Sequence, residues 1–486
     1  MEPDQLSTRN KPLGRVDALV VTVILLSLMG AVIGIFGSDA LAGATQVAMM
    51  TIGFLAALIG IKNGLSWSAI EQSIIYSSTK IVGPILIFLS IGALIGSFML
   101  SGAVPSLLYY GLNILSPTYF YPLTCLICAL VATCIGSSWT TAATIGVALI
   151  GVSYGFALSP EITAGAIVSG AYFGDKMSPL SETTNLAPAV AGSELFDHIR
   201  HMAWVSIPSF IIAVLGFLVI GLNTNVTEGS QASIASFVQT LDQYFTISPI
   251  NLIPIALLLW LAVKKVPAFL AIMGVSLLAC VFTLIFQYQA LLAFAGGANA
   301  VTLIKSFWVV LFDGFSITTG NASVNTLLSR GGMASMVNMV WLVIASMMMT
   351  GVLEKIGYID VLMRFMLKFV RSTGSLIAST MATCLGVNIV TGDQYMSLVL
   401  PGHMWKSEYN KRQLASVNLS RTLEDAGTLS SPLIPWNACG VYMAGTLAVA
   451  TIAYLPYCFF NLINPVIALL FAFLNIKILR LKQVNP

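Results

Sequence analysis

The chain has 486 residues, of which 57% are hydrophobic and only 8% charged, with a formal net charge of +3. A soluble domain carries about 25% charged residues, so a mean hydropathy of +0.91 over this length excludes water as the main solvent and leaves a lipid bilayer. The composition points to an all-α polytopic membrane protein. Its small net charge gives no nucleic-acid partner, and the absence of a nucleotide-binding loop means that gradients rather than ATP drive whatever it does.

Met1–Arg15 is polar and contains Arg9, Lys11 and Arg15. Val16–Phe36 is then apolar for about one crossing of ~20 residues, too long for a signal-peptide core. It reads as a retained first helix with a cytoplasmic N-terminus. Further apolar runs lie near 45–64, 80–103, 119–158, 202–222, 248–263, 266–287, 300–312, 333–353, 374–402 and 447–475. Several are interrupted or too long for one helix, which predicts about 11 to 13 spans at ~20 residues each. Asn223–Ser248, the longest hydrophilic connection, reads as a loop. All seven cysteines sit in apolar stretches and read as small packing residues, Cys125 and Cys128 included.

Lys62 with Lys80, Arg200, and Lys264 with Lys265 mark cytoplasmic connections, while 104–118 and 223–247 contain no Lys or Arg. The second half is less regular. Basic clusters at Arg364–Arg371, Lys406–Arg421 and Lys477–Lys482 cannot all be placed inside by simple alternation of spans. Re-entrant or broken segments would accommodate them, and the side of the C-terminus is left open.

The sequence repeats at an offset of 250: Ala132–Gly136 (ATCIG) returns as Ala382–Gly386 (ATCLG), Thr141 as Thr391, Asp175 as Asp425 and Ser181 as Ser431. After two inserted residues Asn185 matches Asn437. Repeats of this kind build many secondary transporters, with the binding site at the repeat interface near mid-membrane. In each half an apolar helix runs into a polar break (Gly136–Thr141; Thr391–Gln394). A second polar segment follows, Gly174–Pro188 in one half and Glu424–Gly440 in the other. Unwound backbone at membrane depth is tolerated where it lines a cavity or binds something, so the four breaks are expected to converge.

Their side chains are oxygen donors. The predicted ion-binding and proton-coupling set is Asp175, Ser178, Ser181, Glu182, Thr183, Thr184, Asn185, Glu424, Asp425, Thr428, Ser431 and Asn437, with Ser137, Ser138, Trp139, Thr141, Thr391, Asp393 and Trp436 as further lining. Oxygen-only ligands with one or two negative charges suit a hard cation. Sodium is expected at Asp175, Asn185, Asp425 and Asn437, as the transported ion and not as a bound cofactor. A carboxylate at membrane depth costs about 3 kcal/mol, so it needs a partner or a use. Low dielectric favours its protonated form and a bound cation its charged form, so one group can hold either H⁺ or Na⁺. The structural alternative is that these residues cap broken helices and that Asp175 pairs with Lys176 or Arg421. His198 and His201 read as a solvated helix end rather than a pH sensor, and Trp139 and Trp436 as anchors or packing rather than walls of an organic-solute pocket. The sequons at Asn225, Asn321 and Asn418 carry meaning only in a secretory pathway.

The stretches Ser169–Ala187 (SGAYFGDKMSPLSETTNLA) and Leu423–Asn437 (LEDAGTLSSPLIPWN) resemble the NhaC family of bacterial sodium/proton antiporters, and the resemblance extends over essentially the whole chain. It implies two inverted repeats with re-entrant hairpins, and a transport domain moving against a scaffold in the inner membrane, commonly in a homodimer. Residues 1–115 and 223–373 would be scaffold, and 116–222 and 374–486 the two transport-domain repeats. It implies exchange of sodium for protons. The alternative within the same family is a sodium-coupled transporter or exchanger of an organic solute (malate/lactate or an amino acid).

Overall fold

A computed structural model describes residues 13–79, 81–224, 228–321, 324–325 and 328–481. Arg9, Lys11, Lys80, Asn225 and Lys482 lie outside them. Among the described residues there is no β-sheet, only isolated bridges at Phe315–Arg330 and Leu414–Arg480. Among the same residues eight helices are long and apolar enough to cross a membrane, and three helix pairs bent by 89° bring the total to as many as 11, the lower end of the expected range.

The first helix, α1 (Arg15–Phe36), shows how lipid shapes these elements. Its buried residues Ala18, Val21, Leu25 and Met29 form one stripe at helical spacing, while Val16, Leu19, Val23 and Leu26 face outward. In α2 (Ala44–Lys62) glycine lets helices approach: a Cβ on Gly53 would stand 3.4 Å from the Met349 backbone. Next come α3 (Trp67–Thr79), α4 (Val82–Leu100) and α5 (Ala103–Ile114).

Helix α6 (Phe120–Ile135) stops at Gly136, and the chain turns back through α7 (Ser138–Thr141), a π-turn at Ala142–Gly146 and α8 (Val147–Gly155). Helix α9 (Pro160–Met177) then runs parallel to α6, with Ser159 N bonded to Tyr121 Oη at 3.1 Å near one end and Gly174 against Ala129 and Ala132 near the other. After a break comes α10 (Glu182–Ala191), and α11 (Leu195–Asn223) returns to the starting end, where Gly221 meets Thr118.

The expected 223–248 loop holds a helix instead, α12 (Glu228–Tyr244). Phe237 and Leu241, four residues apart, bury one side of it and Phe245 follows in step, an amphipathic stripe that a reading for polarity alone overlooks. The next helices are α13 (Ile253–Val263), α14 (Ala268–Phe286), α15 (Tyr288–Ala295), α16 (Ala300–Phe312), α17 (Val337–Lys355) and α18 (Tyr358–Met366).

The C-terminal quarter resolves the charge puzzle. Helix α19 (Thr373–Thr391) and α20 (Gln394–Lys411) fold back on each other at Gly392, with Trp405 Nε1 bonded to Thr383 Oγ1 at 3.3 Å and Tyr409 Oη to Thr380 Oγ1 at 3.4 Å. The two ends of this hairpin lie together: Arg412 donates to the Val370 carbonyl at 3.3 Å. Next come α21 (Ser416–Leu423), a π-turn at Glu424–Thr428, α22 (Ala438–Leu447), α23 (Thr451–Tyr454) and α24 (Phe459–Phe473). Lys477 O accepts from Arg421 Nη1 at 3.3 Å and bonds His201 Nε2 at 2.9 Å. All three basic clusters therefore share one end of the bundle with the start of α11.

Candidate functional site

The first hairpin tip docks into the first helix break. Gly136 takes a left-handed conformation (φ 75°), and a Cβ there would collide with Leu180 and Ser181. Ser137 then caps α7, accepting from Thr140 N at 3.2 Å. Ser138 directs both its backbone N–H (3.0 Å) and its hydroxyl (2.7 Å) at Asp175 Oδ2, and the Ser181 hydroxyl stands beside the same carboxylate. Hydrogen bonds of this kind to a carboxylate are short and strong. Ser181 also caps α10, accepting from Thr184 N at 3.4 Å.

The second half repeats the arrangement. Gly392 is left-handed (φ 62°), and Asp393 caps α20, accepting from Tyr395 N at 2.7 Å. The Ser431 hydroxyl donates to Gln394 Oε1 at 3.1 Å, and Asn437 caps α22, accepting from Cys439 N at 3.0 Å. Ala438 N donates to the Gly392 carbonyl at 2.8 Å, seating this tip in its own break. Asn388 ties the break together, donating to Gly427 O at 2.6 Å and Ser430 Oγ at 2.9 Å, and it accepts from Asn437 Nδ2 at 3.0 Å.

These equivalences correct the sequence register. Gly136 and Gly392, Ser137 and Asp393, Ser138 and Gln394, and Ser181 and Asn437 play matching parts, and every pair is separated by 256 positions rather than 250. In that register Asp175 corresponds to Ser431, not Asp425. The matching pentapeptides differ in place: Gly136 ends its helix, whereas Gly386 lies inside α19. A letter match in low-diversity apolar sequence outweighed the caps.

Asp425 lies in the second π-turn, where Lys176 pairs with it and Asn464 Nδ2 donates to it at 2.8 Å; Arg421 Nε stands 3.7 Å away. Lys176 and Arg421, weighed as partners for Asp175, therefore serve Asp425. Glu424 is fully buried, and neither of its oxygens has a hydrogen-bond partner among the described residues. Asn185 is exposed and bonds the Pro179 and Ser181 carbonyls at 2.9 and 2.6 Å, away from Asp175. Thr184 donates to the Lys176 carbonyl at 3.1 Å, and Ser178 accepts from Leu180 N at 3.2 Å, both shaping the first break. Thr141 and Thr391 donate to carbonyls of their own helices at 2.9 Å each, and Trp436 donates to Ile389 O at 2.7 Å. His198 and His201 are buried, not solvated. His198 Nδ1 lies 2.8 Å from Ser420 Oγ, and the packing of α11 on α21 removes both rings from solvent.

A cavity of about 610 Å³ opens onto the first break. Its polar head consists of Ser137, Ser138, Asp175, Ser181, Glu182, Thr183 and Asp393 together with Gln394 and Tyr395. Trp139 stacks on Tyr442 at 4.0 Å along one side, and Tyr442 donates to the Trp139 carbonyl at 2.8 Å. Tyr395 donates to Glu182, linking the halves again. The opposite wall comes from α4, α13, α14 and α17, with Pro84, Ile87, Leu258, Lys265, Ile272 and Met347. Ser178, Thr184, Asn185, Glu424, Asp425, Thr428, Ser431, Trp436, Asn437, Thr141 and Thr391 do not line it. Sequence reasoning missed Tyr395, Tyr442 and Lys265 as lining, and Asn388 and Asn464 as polar supports. Only Asn388 and Asn464 carry a local signal, an amide inside an otherwise apolar helix.

Residues 170–476, which include both polar segments, match the profile of the Na⁺/H⁺ antiporter family. The chain is 40% identical to the Na⁺/H⁺ antiporter NhaC of Alkalihalophilus pseudofirmus over 94% of this chain and 96% of that protein. It is 37% identical to NhaC of Bacillus subtilis, covering 85% and 88% of the two chains. It is also 33% identical to the malate-2H⁺/Na⁺-lactate antiporter of Bacillus subtilis, covering 88% and 89%. With the fold above, these similarities make it a multi-pass bacterial membrane protein, a transporter by kinship, and the chain belongs to the Na⁺/H⁺ antiporter family.

Proposed function

We propose that the chain exchanges sodium ions for protons across the bacterial inner membrane, with Asp175 as the carboxylate that first receives the ion from the cavity. The observation that carries this reading is Asp175 itself, at the polar head of the cavity, its carboxylate bonded by two donors from Ser138. Serine and threonine hydroxyls around it complete an oxygen environment suited to sodium. The cavity reaches Lys265, in a connection that the positive-inside rule puts in the cytoplasm, so this state faces inward. No cofactor other than the transported ion enters the proposal.

The moving part would be 116–222 with 374–486, since the hairpin tips, the breaks and the ion pair lie within it, and 1–115 with 223–373 would be the scaffold. Support for an inverted relation comes from the hairpin ends. The first hairpin starts beside Thr118 and Gly221, and the second beside Val370 and Arg412 at the basic end. The homodimer implied by the resemblance belongs to the same proposal and is checked by the mass of the purified protein.

A volume of about 610 Å³ far exceeds a bare ion, and with the similarity to a malate/lactate exchanger it favours a second reading, exchange of an organic solute coupled to sodium. Proteoliposomes separate the two. Proton flux driven by a sodium gradient alone supports the first reading. Flux that appears only when malate, lactate or an amino acid is supplied overturns it in favour of the second.

A further inference from the structure

We propose that the sodium ion, once past Asp175, is held between Glu424, Thr428 and Thr183, one layer deeper than the cavity. The inference rests on the exchange reading above and adds to it a second, enclosed ion position.

Both oxygens of Glu424 and the hydroxyl of Thr428 are buried polar atoms without a hydrogen-bond partner. Such atoms are few in a native structure, and each asks for an explanation. Their residues have no exposed surface. They lie one turn apart at the two ends of the π-turn Glu424–Thr428, a distortion frequent at functional sites. The hydroxyls of Thr428 and Thr183 stand beside the Glu424 carboxylate without completing hydrogen-bond geometry, and Lys176 and Asp175 are the charges that act on it. Thr183 also lines the cavity, so its hydroxyl joins the open space to the enclosed carboxylate. Two carboxylate oxygens and two hydroxyls are hard ligands of the kind sodium takes, and a transition metal would find no nitrogen or sulfur ligand in this set.

The other carboxylates are already occupied. Asp425 has Lys176, Asn464 and Arg421, and Asp175 has the two donors of Ser138. When all five are ionised, Asp175, Glu424 and Asp425 against Lys176 and Arg421 leave one negative charge uncompensated among these buried groups. Uncompensated charge in an apolar interior is expensive. One monovalent cation balances it, whereas a divalent cation would overshoot by one unit.

The test is sodium binding to the purified full-length protein, measured by calorimetry at fixed pH with choline as the inert cation, and independently by the sodium-dependent rise in melting temperature. Thr428→Val keeps the shape and removes the hydroxyl; it is expected to weaken sodium binding about tenfold, with Thr428→Ser restoring it. Thr183→Val should act in the same direction, and Glu424→Gln should remove the sodium-dependent stabilisation while the protein stays monodisperse. Wild-type sodium affinity in both valine variants overturns the inference and leaves the exchange reading standing. A wild-type protein that neither binds sodium nor exchanges it overturns both.

Discussion

Lys176 and Asp425 form an ion pair in which neither side chain is exposed, joining the end of α9 to the π-turn of the other half. Removing one partner leaves the other buried without its counter-charge, which costs about 3–5 kcal/mol. Lys176→Met should therefore lower the melting temperature sharply. Lys176→Met combined with Asp425→Asn should cost less than the two single changes added together, because neither charge is then stranded. Thermal unfolding in detergent reads this directly.

Ser138 gives Asp175 a hydroxyl and a backbone N–H, and only the first can be deleted. A hydrogen bond to a charged group contributes about 1.5–3 kcal/mol. Ser138→Ala should slow exchange but not stop it, whereas Asp175→Asn should stop it. Proton release from everted vesicles on adding sodium gives the order, and equal rates in the wild type and both variants would remove Asp175 from the site.

The two hairpin glycines should not be equally sensitive. Both are left-handed, at about 1–2 kcal/mol for a residue with a Cβ. At Gly136 the added carbon meets backbone of Leu180 and Ser181, which cannot swing away. At Gly392 the nearest atom is the Ser346 hydroxyl, which can rotate. Gly136→Ala should lose more stability and more transport than Gly392→Ala.

The asparagines of the original repeat should also separate. Asn185→Ala is expected to leave sodium affinity unchanged, since that side chain bonds only its own segment. Asn437→Ala removes a helix cap worth about 1 kcal/mol and releases Asn388. Melting temperature and sodium affinity, measured on both variants, distinguish the two roles.

The shared basic end predicts topology. In a Cys134→Ser background, which removes the exposed thiol, Arg200→Cys and Arg480→Cys should both react with an impermeant maleimide from the cytoplasmic face. Labelling from opposite faces would contradict the shared basic end.

Composition and apolar run length were enough to read the membrane class, and the three basic clusters, which simple alternation does not place, meet at one end of the bundle. Asp175 and Ser138 were legible for a local reason: hydroxyls, glycine and a carboxylate have little business in an apolar run. Asn185 and Asp425 lie off the cavity: matching letters give one register, while the structure keeps another through caps at Ser137, Asp393, Ser181 and Asn437. The histidines illustrate the remaining difficulty. Asp197–His201 (DHIRH) looks hydrated by itself, and what buries it are Ser420 and Lys477, more than 200 positions away. Tyr442 and Lys265 reach the cavity by the same long-range route, which a one-dimensional pattern does not record.

The stack of Trp139 on Tyr442, the Tyr395–Glu182 bond and the Lys176–Asp425 pair join the two halves at three separate points. Three such ties resist relative rotation, so in the motion proposed above the halves would travel as one block. Slip is left to the far side of the cavity, where Pro84, Ile87, Leu258 and Ile272 present a greasy seam with few directional bonds to break. If the proposed motion slides along it, such a seam offers little friction and few detents. The resting stations would then be set by the bound ion and by the polar ends of the bundle, not by the sliding surface itself.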